Sequence, residues 1–188
     1  MGYPNQFAPN GFSPVNLEGI KSPIRMRRPV VANRNPTGSA STAILSVGDA
    51  YTLDANGNAL HAGPNDVVYG IVDLIELEAV PTIMNANGPV SVDQVMQPYS
   101  AFIIGIEDSK VFFETQADNF NPPNIGQLYN LNDTVAPSTL FRQSRQYIAT
   151  GAAGTQFRAM DIAYRPTDNA YGANARVIVR LAQVPAIN

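Results

Sequence analysis

Turn-forming residues recur so closely along this chain that they leave little room for a long helix. The 188 residues include 14 Gly and 15 Pro, and Asn-Gly pairs stand at residues 56–57 and 87–88. Asn-Gly is typical of tight β-hairpins because both residues tolerate a positive φ. The stretches between the turns are short and rich in β-branched and aromatic residues, which is typical of strands. The pattern predicts an all-β fold, either a small β-barrel or a sandwich.

About ten short strands fit between these turn signals after residue 42. Turns are predicted at residues 54–58, 63–66, 87–89 and 168–174, and a Pro/Asn loop at residues 118–124. Helix signals are confined to residues 93–96 and 138–145, where one turn could form in each. The clearest strand predictions are residues 43–53, 67–80, 101–106, 110–115, 127–131, 146–150, 157–165 and 175–184.

The first 40 residues differ from the rest and are predicted to form an extended N-terminal arm. Six prolines punctuate them, and each proline fixes its own φ and favours extended geometry in the residue before it. The arm carries a net charge of +4 and the body, residues 41–188, carries −7, which gives −3 overall. The sequence therefore predicts a basic arm, residues 1–40, attached to an acidic β body.

The arm also carries the residues that we predict to bind a partner. Its apolar side chains are spaced as separate anchors, and its arginines form one dense basic cluster. The chain has 10 Arg and 2 Lys, a usage that favours ordered contacts with carboxylates over non-specific contact with nucleic acid. Two interpretations stay open: the arm lies along a partner, or it wraps its own domain. The predicted partner-binding residues are Phe7, Phe12, Leu17, Ile20, Ile24, Arg25, Arg27 and Arg28.

Catalytic patterns are weak, and the chain is predicted not to be an enzyme. It has no Cys, and its one His, His61, follows a hairpin turn where exposure is expected. A Ser-His-Asp triad would have to be assembled around that single residue. Glu76 and Glu78 share a strand face, as glycosidase carboxylates could, but a solvated sheet face explains them better. No catalytic residue and no cofactor is predicted.

A metal site is not predicted either, although one segment resembles the start of a calcium loop. Asp54, Asn56 and Asn58 have the alternating spacing of the first three ligands. The sixth and twelfth loop positions should be Gly and Glu, and here they are Ala59 and Asn65. A hairpin turn therefore explains the segment better than a metal site does.

Two segments resemble capsid cement and decoration proteins of tailed bacteriophages. The first runs over residues 47–58 (VGDAYTLDANGN) and 62–72 (AGPNDVVYGIV), and the second includes DIA at 161–163 and GANARVIV at 172–179. The resemblance implies trimers, or clusters at local symmetry axes, that bind the major capsid protein on the outer capsid surface of the virion, and a homotrimer is the predicted state. On this interpretation the function is structural, and from the residues themselves neither a cofactor nor nucleic acid nor a membrane is predicted as a partner.

Two functions from different classes follow. In the first, the protein decorates and stabilises a phage capsid, with its arm laid across capsomers. In the second, it is a fibre or adhesin-type domain that binds host glycans, for which eight Tyr residues, without any Trp, could supply stacking platforms. A membrane span is not predicted, because Asp73, Glu76 and Glu78 interrupt the longest apolar run, and residues 1–12 lack the pattern of a secretory signal.

Overall fold

The computed structural model describes residues 11–15, 23–31, 45–76, 84–85, 88–89, 100–132, 144–164 and 169–183. These ranges contain strands and one short 3-10 turn, Pro122–Asn124, so the predicted all-β fold is confirmed. None of their helical turns is long and apolar enough to cross a membrane. The strands are β1 (Ser13–Pro14), β2 (Arg25–Val31), β3 (Ala50–Leu53), β4 (Ala59–His61), β5 (Gly70–Glu76), β6 (Met84–Asn85), β7 (Gly88–Pro89), β8 (Ser100–Ile106), β9 (Phe113–Gln116), β10 (Asn119–Phe120), β11 (Leu128–Asn132), β12 (Tyr147–Ala149), β13 (Phe157–Ile162), β14 (Gly172–Ala173) and β15 (Arg176–Leu181).

Five strands of the C-terminal half and β1 from the N-terminal arm form a six-stranded antiparallel sheet in the order β1-β9-β15-β13-β11-β12. Side chains of β15 point alternately to the two faces of the sheet, so every second residue is buried. The buried residues are Val177, Val179 and Leu181, and those between them are only partly buried. A single parallel bridge between Ala117 and Ile148 joins the β12 edge back to the segment after β9. The sheet therefore curls strongly around its apolar side.

The second large sheet has five antiparallel strands in the order β2-β8-β5-β3-β4. A register shift between Val72 and Leu74 marks a bulge in β5, and bulges increase strand twist. The two edge strands, β2 and β4, approach to within 8 Å between Cα atoms. Neither large sheet closes into a barrel over the described residues.

Two apolar clusters hold the sheets together. The larger cluster takes Ala50, Ile71 and Ile106 from the five-stranded sheet and packs them with the buried side of the six-stranded sheet. The smaller cluster fills the inner side of the five-stranded sheet. Its fully buried members are Leu45, Tyr51, Ala59, Val72 and Ile103.

The hairpin predicted at residues 54–58 is confirmed and connects β3 to β4. The Asp54 carboxylate accepts hydrogen bonds from the backbone N–H groups of Asn56 and Asn58, both at 2.8 Å. A hydrogen bond from the Asn58 side chain, and then these backbone bonds, hold the pKa of Asp54 below its ordinary value. Gly57 adopts a φ of 80°, which is why glycine suits this turn.

Some boundaries differ from the sequence predictions. Residues 43–44 of the strand predicted at 43–53 lie outside the described residues, and over the rest the strand begins only at Ala50, because Gly48 turns the chain with a φ of 87°. The loop predicted at 118–124 contains β10, which pairs with β14 inside the turn predicted at 168–174. The helical turn predicted at 93–96 and most of that at 138–145 lie outside the described residues.

Candidate partner-binding surface

The predicted basic cluster lies on β2, an edge strand of the five-stranded sheet. Seven register pairs join β2 to β8, from Arg25 opposite Ile106 to Val31 opposite Ser100. Pro29 lies within this strand, and proline is tolerated at a sheet edge because one row of N–H groups needs no partner strand there. Residues 25–31 of the predicted arm therefore form a strand of the five-stranded sheet.

Two arginines of β2 make ion pairs on the outer face of the sheet. Arg25 Nε lies 2.8 Å from Asp73 Oδ2, and Arg27 Nε lies 2.8 Å from Glu76 Oε2. The Arg27 guanidinium also lies 3.5 Å from the centroid of the Phe102 ring. Because both arginines are about half exposed, each pair stabilises the fold by less than about 1 kcal/mol.

Arg28 points to the opposite face and is largely buried. Its Nε and Nη2 donate to the two carboxylate oxygens of Glu107 at 2.6 and 2.7 Å. The exposed fractions of the two side chains are 13% and 4%. Hydrogen bonding to Glu107 raises the pKa of Arg28 above its ordinary value, against the opposing effect of burial. A paired and bidentate geometry is what a buried carboxylate requires.

Tyr51 completes this buried cluster from β3. Its hydroxyl donates to Glu107 Oε1 at 2.6 Å. Burial, and then the neighbouring Glu107 carboxylate, raise the pKa of Tyr51 well above its ordinary value. The ring lies against Gly70 and Gly105, where a Cβ atom at Gly105 would come within 2.2 Å of the Tyr51 oxygen. These glycines therefore make room for the ring.

The predicted apolar anchors lie in different surroundings. Phe12 is buried in the larger core cluster and stacks on Phe157, with ring centroids 4.5 Å apart and an interplanar angle of 9°. Ile24 is 58% exposed. Phe7, Leu17 and Ile20 lie outside the described residues. Over residues 11–15 and 23–31, the arm thus packs on its own domain, as in the second interpretation of the sequence.

The expectation that His61 is exposed is wrong, since its side chain is only 12% exposed. Its Nε2 lies 3.1 Å from Gln146 Nε2 and 4.0 Å from an oxygen of the buried Asp49. Asp49 instead accepts hydrogen bonds from the Ser46 N–H and from the side chain of Ser144, and burial raises its pKa. The Ser144 side chain thus bonds to the Asp49 carboxylate rather than to the His61 imidazole, whereas in a catalytic triad the serine bonds to the imidazole.

Glu76 lies on a partly solvated sheet face, as predicted, and is paired with Arg27; Glu78 lies outside the described residues. No group of three His, Asp or Glu side chains in the described ranges could hold a metal ion. A surface depression of about 430 Å³ lies beside Arg158, whose Nη1 donates to the Gly126 carbonyl at 2.6 Å. It is lined by residues 126–129, 150–154 and 158.

Sequence reasoning identified the arginine cluster but missed its partners. Asp73 and Glu76 lie 48 and 49 residues away from their arginines, and Glu107 lies 79 residues away. Strand pairing brings them together, and no local pattern reports that pairing. No family model, curated protein or solved structure matches this chain.

Proposed function

We propose that this chain is a structural virion protein that binds the outer surface of a phage major capsid protein shell. The observation that carries the proposal is the resemblance over residues 47–72, a segment that folds as one continuous unit. It forms β3, the Asp54 hairpin, β4, a second turn and the start of β5. The resemblance therefore extends over a structural module rather than over scattered residues.

The surface proposed to contact the capsid is the outer face of β2 and β5. We define the outer patch as Arg25, Arg27, Leu74 and Phe102 on this face, together with the exposed Ile24 immediately before β2. Ile24 is 58% and Leu74 52% exposed, and register places Leu74, Ile104 and Arg27 in one row on one face. Arginine, aromatic and aliphatic side chains together are the composition of protein interfaces.

This proposal divides the predicted partner-binding residues into two groups. Ile24, Arg25 and Arg27 lie on the outer patch and are proposed to touch the shell, together with Phe7, Leu17 and Ile20 of the arm. Phe12 and Arg28 instead support the fold of the body, because both are largely buried against its own residues. The low charged fraction of 14% also suits a protein that packs against partners, including copies of itself as a homotrimer.

One observation favours the alternative function, a domain that binds host glycans. Tyr164 is 91% exposed and Tyr171 is 42% exposed. The Tyr171 hydroxyl donates to Asp161 at 3.2 Å, so an aromatic face lies beside a polar acceptor, which is the arrangement that carbohydrate sites use.

Binding to virions would test the proposal. Virions that naturally carry this protein are first stripped of it, and tagged protein is then added back. The position of the tagged protein on the particle is found by cryo-electron microscopy. We expect density outside the shell and saturable binding that is at least tenfold weaker for the double variant Ile24→Ser/Leu74→Ser. The control Tyr164→Ala should bind as the unmodified protein does.

Other results would count against capsid decoration. Density confined to a tail or fibre, or binding that is unaffected by the outer-patch variant, would contradict the proposed contact. Glycan-array binding that is lost in Tyr164→Ala would favour the adhesin function.

A further inference from the structure

The buried Glu107 carboxylate needs a cationic partner, and Arg28 of β2 supplies it. Glu107 is 6% exposed, and its oxygens accept from Arg28 and from the Tyr51 hydroxyl. If β2 left, the carboxylate would lose both the cation that balances its charge and the side chain that packs over it, which is unfavourable. The body therefore needs an Arg-bearing strand at this edge.

The edge of β8 and its neighbouring carboxylates form a specific receptor for such a strand. We define the socket as the edge of β8 that pairs with β2, together with Asp73, Glu76 and Glu107. Each carboxylate receives one arginine of β2, with nitrogen–oxygen distances between 2.6 and 2.8 Å. Two of the pairs lie on the outer face and one on the inner face, so register and orientation are both fixed.

We propose that this socket is occupied in the oligomer by β2 of a second copy of the chain. This inference deepens the homo-oligomer part of the proposed function and does not depend on the capsid. The same seven-residue ladder and the same three ion pairs would form between copies as within one chain. Exchange of an identical element between protomers is a low-cost route to assembly for that reason.

β2 is suited to exchange because it contributes little to the apolar cores. Among the described core residues, Val30 is the one that β2 supplies, and it is only partly buried. Ile24 just before the strand and Met26 within it are exposed by 58% and 36%. β2 can thus be donated without taking apart either apolar cluster when β1, with the buried Phe12, stays in its own copy.

The connection and the charges also permit exchange. Residues 15–24 precede β2 and residues 32–44 follow it, and segments of these lengths can span up to roughly 33 Å and 43 Å when extended. The arm carries +4 and the body −7, so the arm of one copy is attracted to the body of another as well as to its own.

Engineered thiols distinguish exchange from folding back, because the chain has no Cys of its own. Arg27 and Ile104 stand opposite each other in register, and opposed residues of antiparallel strands lie close enough for a disulfide. Arg27→Cys and Ile104→Cys are made as separate full-length variants with different tags, co-expressed, purified and oxidised. We expect a reducible heterodimer of twice the chain mass as the major product.

Two controls complete the experiment. The double variant Arg27→Cys/Ile104→Cys shows that the bridge itself can form. Co-expression of Arg27→Cys with Val67→Cys, an exposed position outside this register, reports random cross-linking and should give no heterodimer. If the double variant closes its bridge within one chain and the Arg27→Cys/Ile104→Cys mixture gives no heterodimer, exchange is overturned, whereas capsid binding would be unaffected by that result.

Discussion

At Arg28 a single side chain connects the N-terminal arm to the interior of the body. Replacing it by Ala leaves Glu107 buried without a cation, and breaking a buried pair in this way lowers the free energy of unfolding by about 3–5 kcal/mol. The matched variant Arg27→Ala removes a pair between half-exposed side chains and should cost less than about 1 kcal/mol. Urea unfolding of both variants measures the difference. If both variants lost the same free energy of unfolding, the buried Glu107 carboxylate would not need Arg28 as its cationic partner.

Thr115 carries a buried hydroxyl oxygen without a hydrogen-bond partner among the described residues. Its replacement by Val keeps the shape and removes the unsatisfied group, so the free energy of unfolding should rise by about 1 kcal/mol. Thr150 is the matched control, because its hydroxyl donates to Asp118 at 2.6 Å, and Thr150→Val should lower stability. Thermal unfolding compares the two, and a loss in Thr115→Val would point to an unseen partner.

The raised pKa of Tyr51 predicts a loss of stability in alkali. The folded state keeps this phenol protonated above its ordinary pKa of about 10, whereas the unfolded state releases the proton. The stabilisation is therefore fully present below pH 10 and declines as pH rises above it. Tyr51→Phe should start less stable, because the hydrogen bond to Glu107 is lost, and should lose less stability between pH 10 and 11. Urea titrations of the unmodified protein and of Tyr51→Phe at each pH measure the difference. An equal loss of unfolding free energy in the two proteins between pH 10 and 11 would contradict this prediction.

At the scale of elements, the packing of the Tyr51 ring of β3 against β8 depends on glycine. An alanine at Gly105 would place its Cβ 2.2 Å from the Tyr51 oxygen, and such overpacking costs roughly 1–3 kcal/mol. A Cβ atom added at Gly151 would have no neighbouring atom within 4 Å, so Gly151→Ala should be nearly neutral. Chemical unfolding of the two variants tests the packing, and a stable Gly105→Ala protein would show that the ring can move away.

The elements that the sequence predicted well are those fixed by local chemistry. The Asp54 hairpin follows from Asn56-Gly57, where the backbone conformation and the carboxylate are adjacent in the chain. Residues 25–31 were predicted as part of an extended arm because six prolines punctuate residues 1–40. The segment is nevertheless a strand, because it pairs with β8. The first pair of this ladder joins Arg25 to Ile106, which are more than 70 positions apart in the chain. β10 and β14 were missed for the same reason, since two-residue strands form only through their partner.

At the scale of the molecule, the division into arm and body has a practical consequence. Residues 11–15 and 23–31 include strands of the two large sheets, so removing residues 1–40 would delete Phe12 from the core and Arg28 from Glu107. Loss of particle binding after that deletion would therefore report unfolding as well as loss of contact. Substitutions on the outer patch separate the two effects, because its side chains lie at the surface.

The larger core cluster includes residues of both large sheets, which predicts that the described body unfolds as one unit. Ile71 and Ile106 of the five-stranded sheet share this cluster with Phe157 of the six-stranded sheet. A destabilising substitution in either sheet should therefore lower the midpoint of a single, common unfolding transition. Phe157→Ala removes a stacked ring from one sheet at a cost of about 3–5 kcal/mol, and Gly105→Ala disturbs the other sheet.

We expect each of these variants to shift a single urea midpoint that is the same by far-ultraviolet circular dichroism and by tyrosine fluorescence. Coincident probes are the test for two-state unfolding. If Phe157→Ala instead separates an early transition from a late one that keeps the midpoint of the unmodified protein, the two sheets are independent units. The contacts of Ile71 and Ile106 would then contribute little to cooperativity, even though both side chains are fully buried.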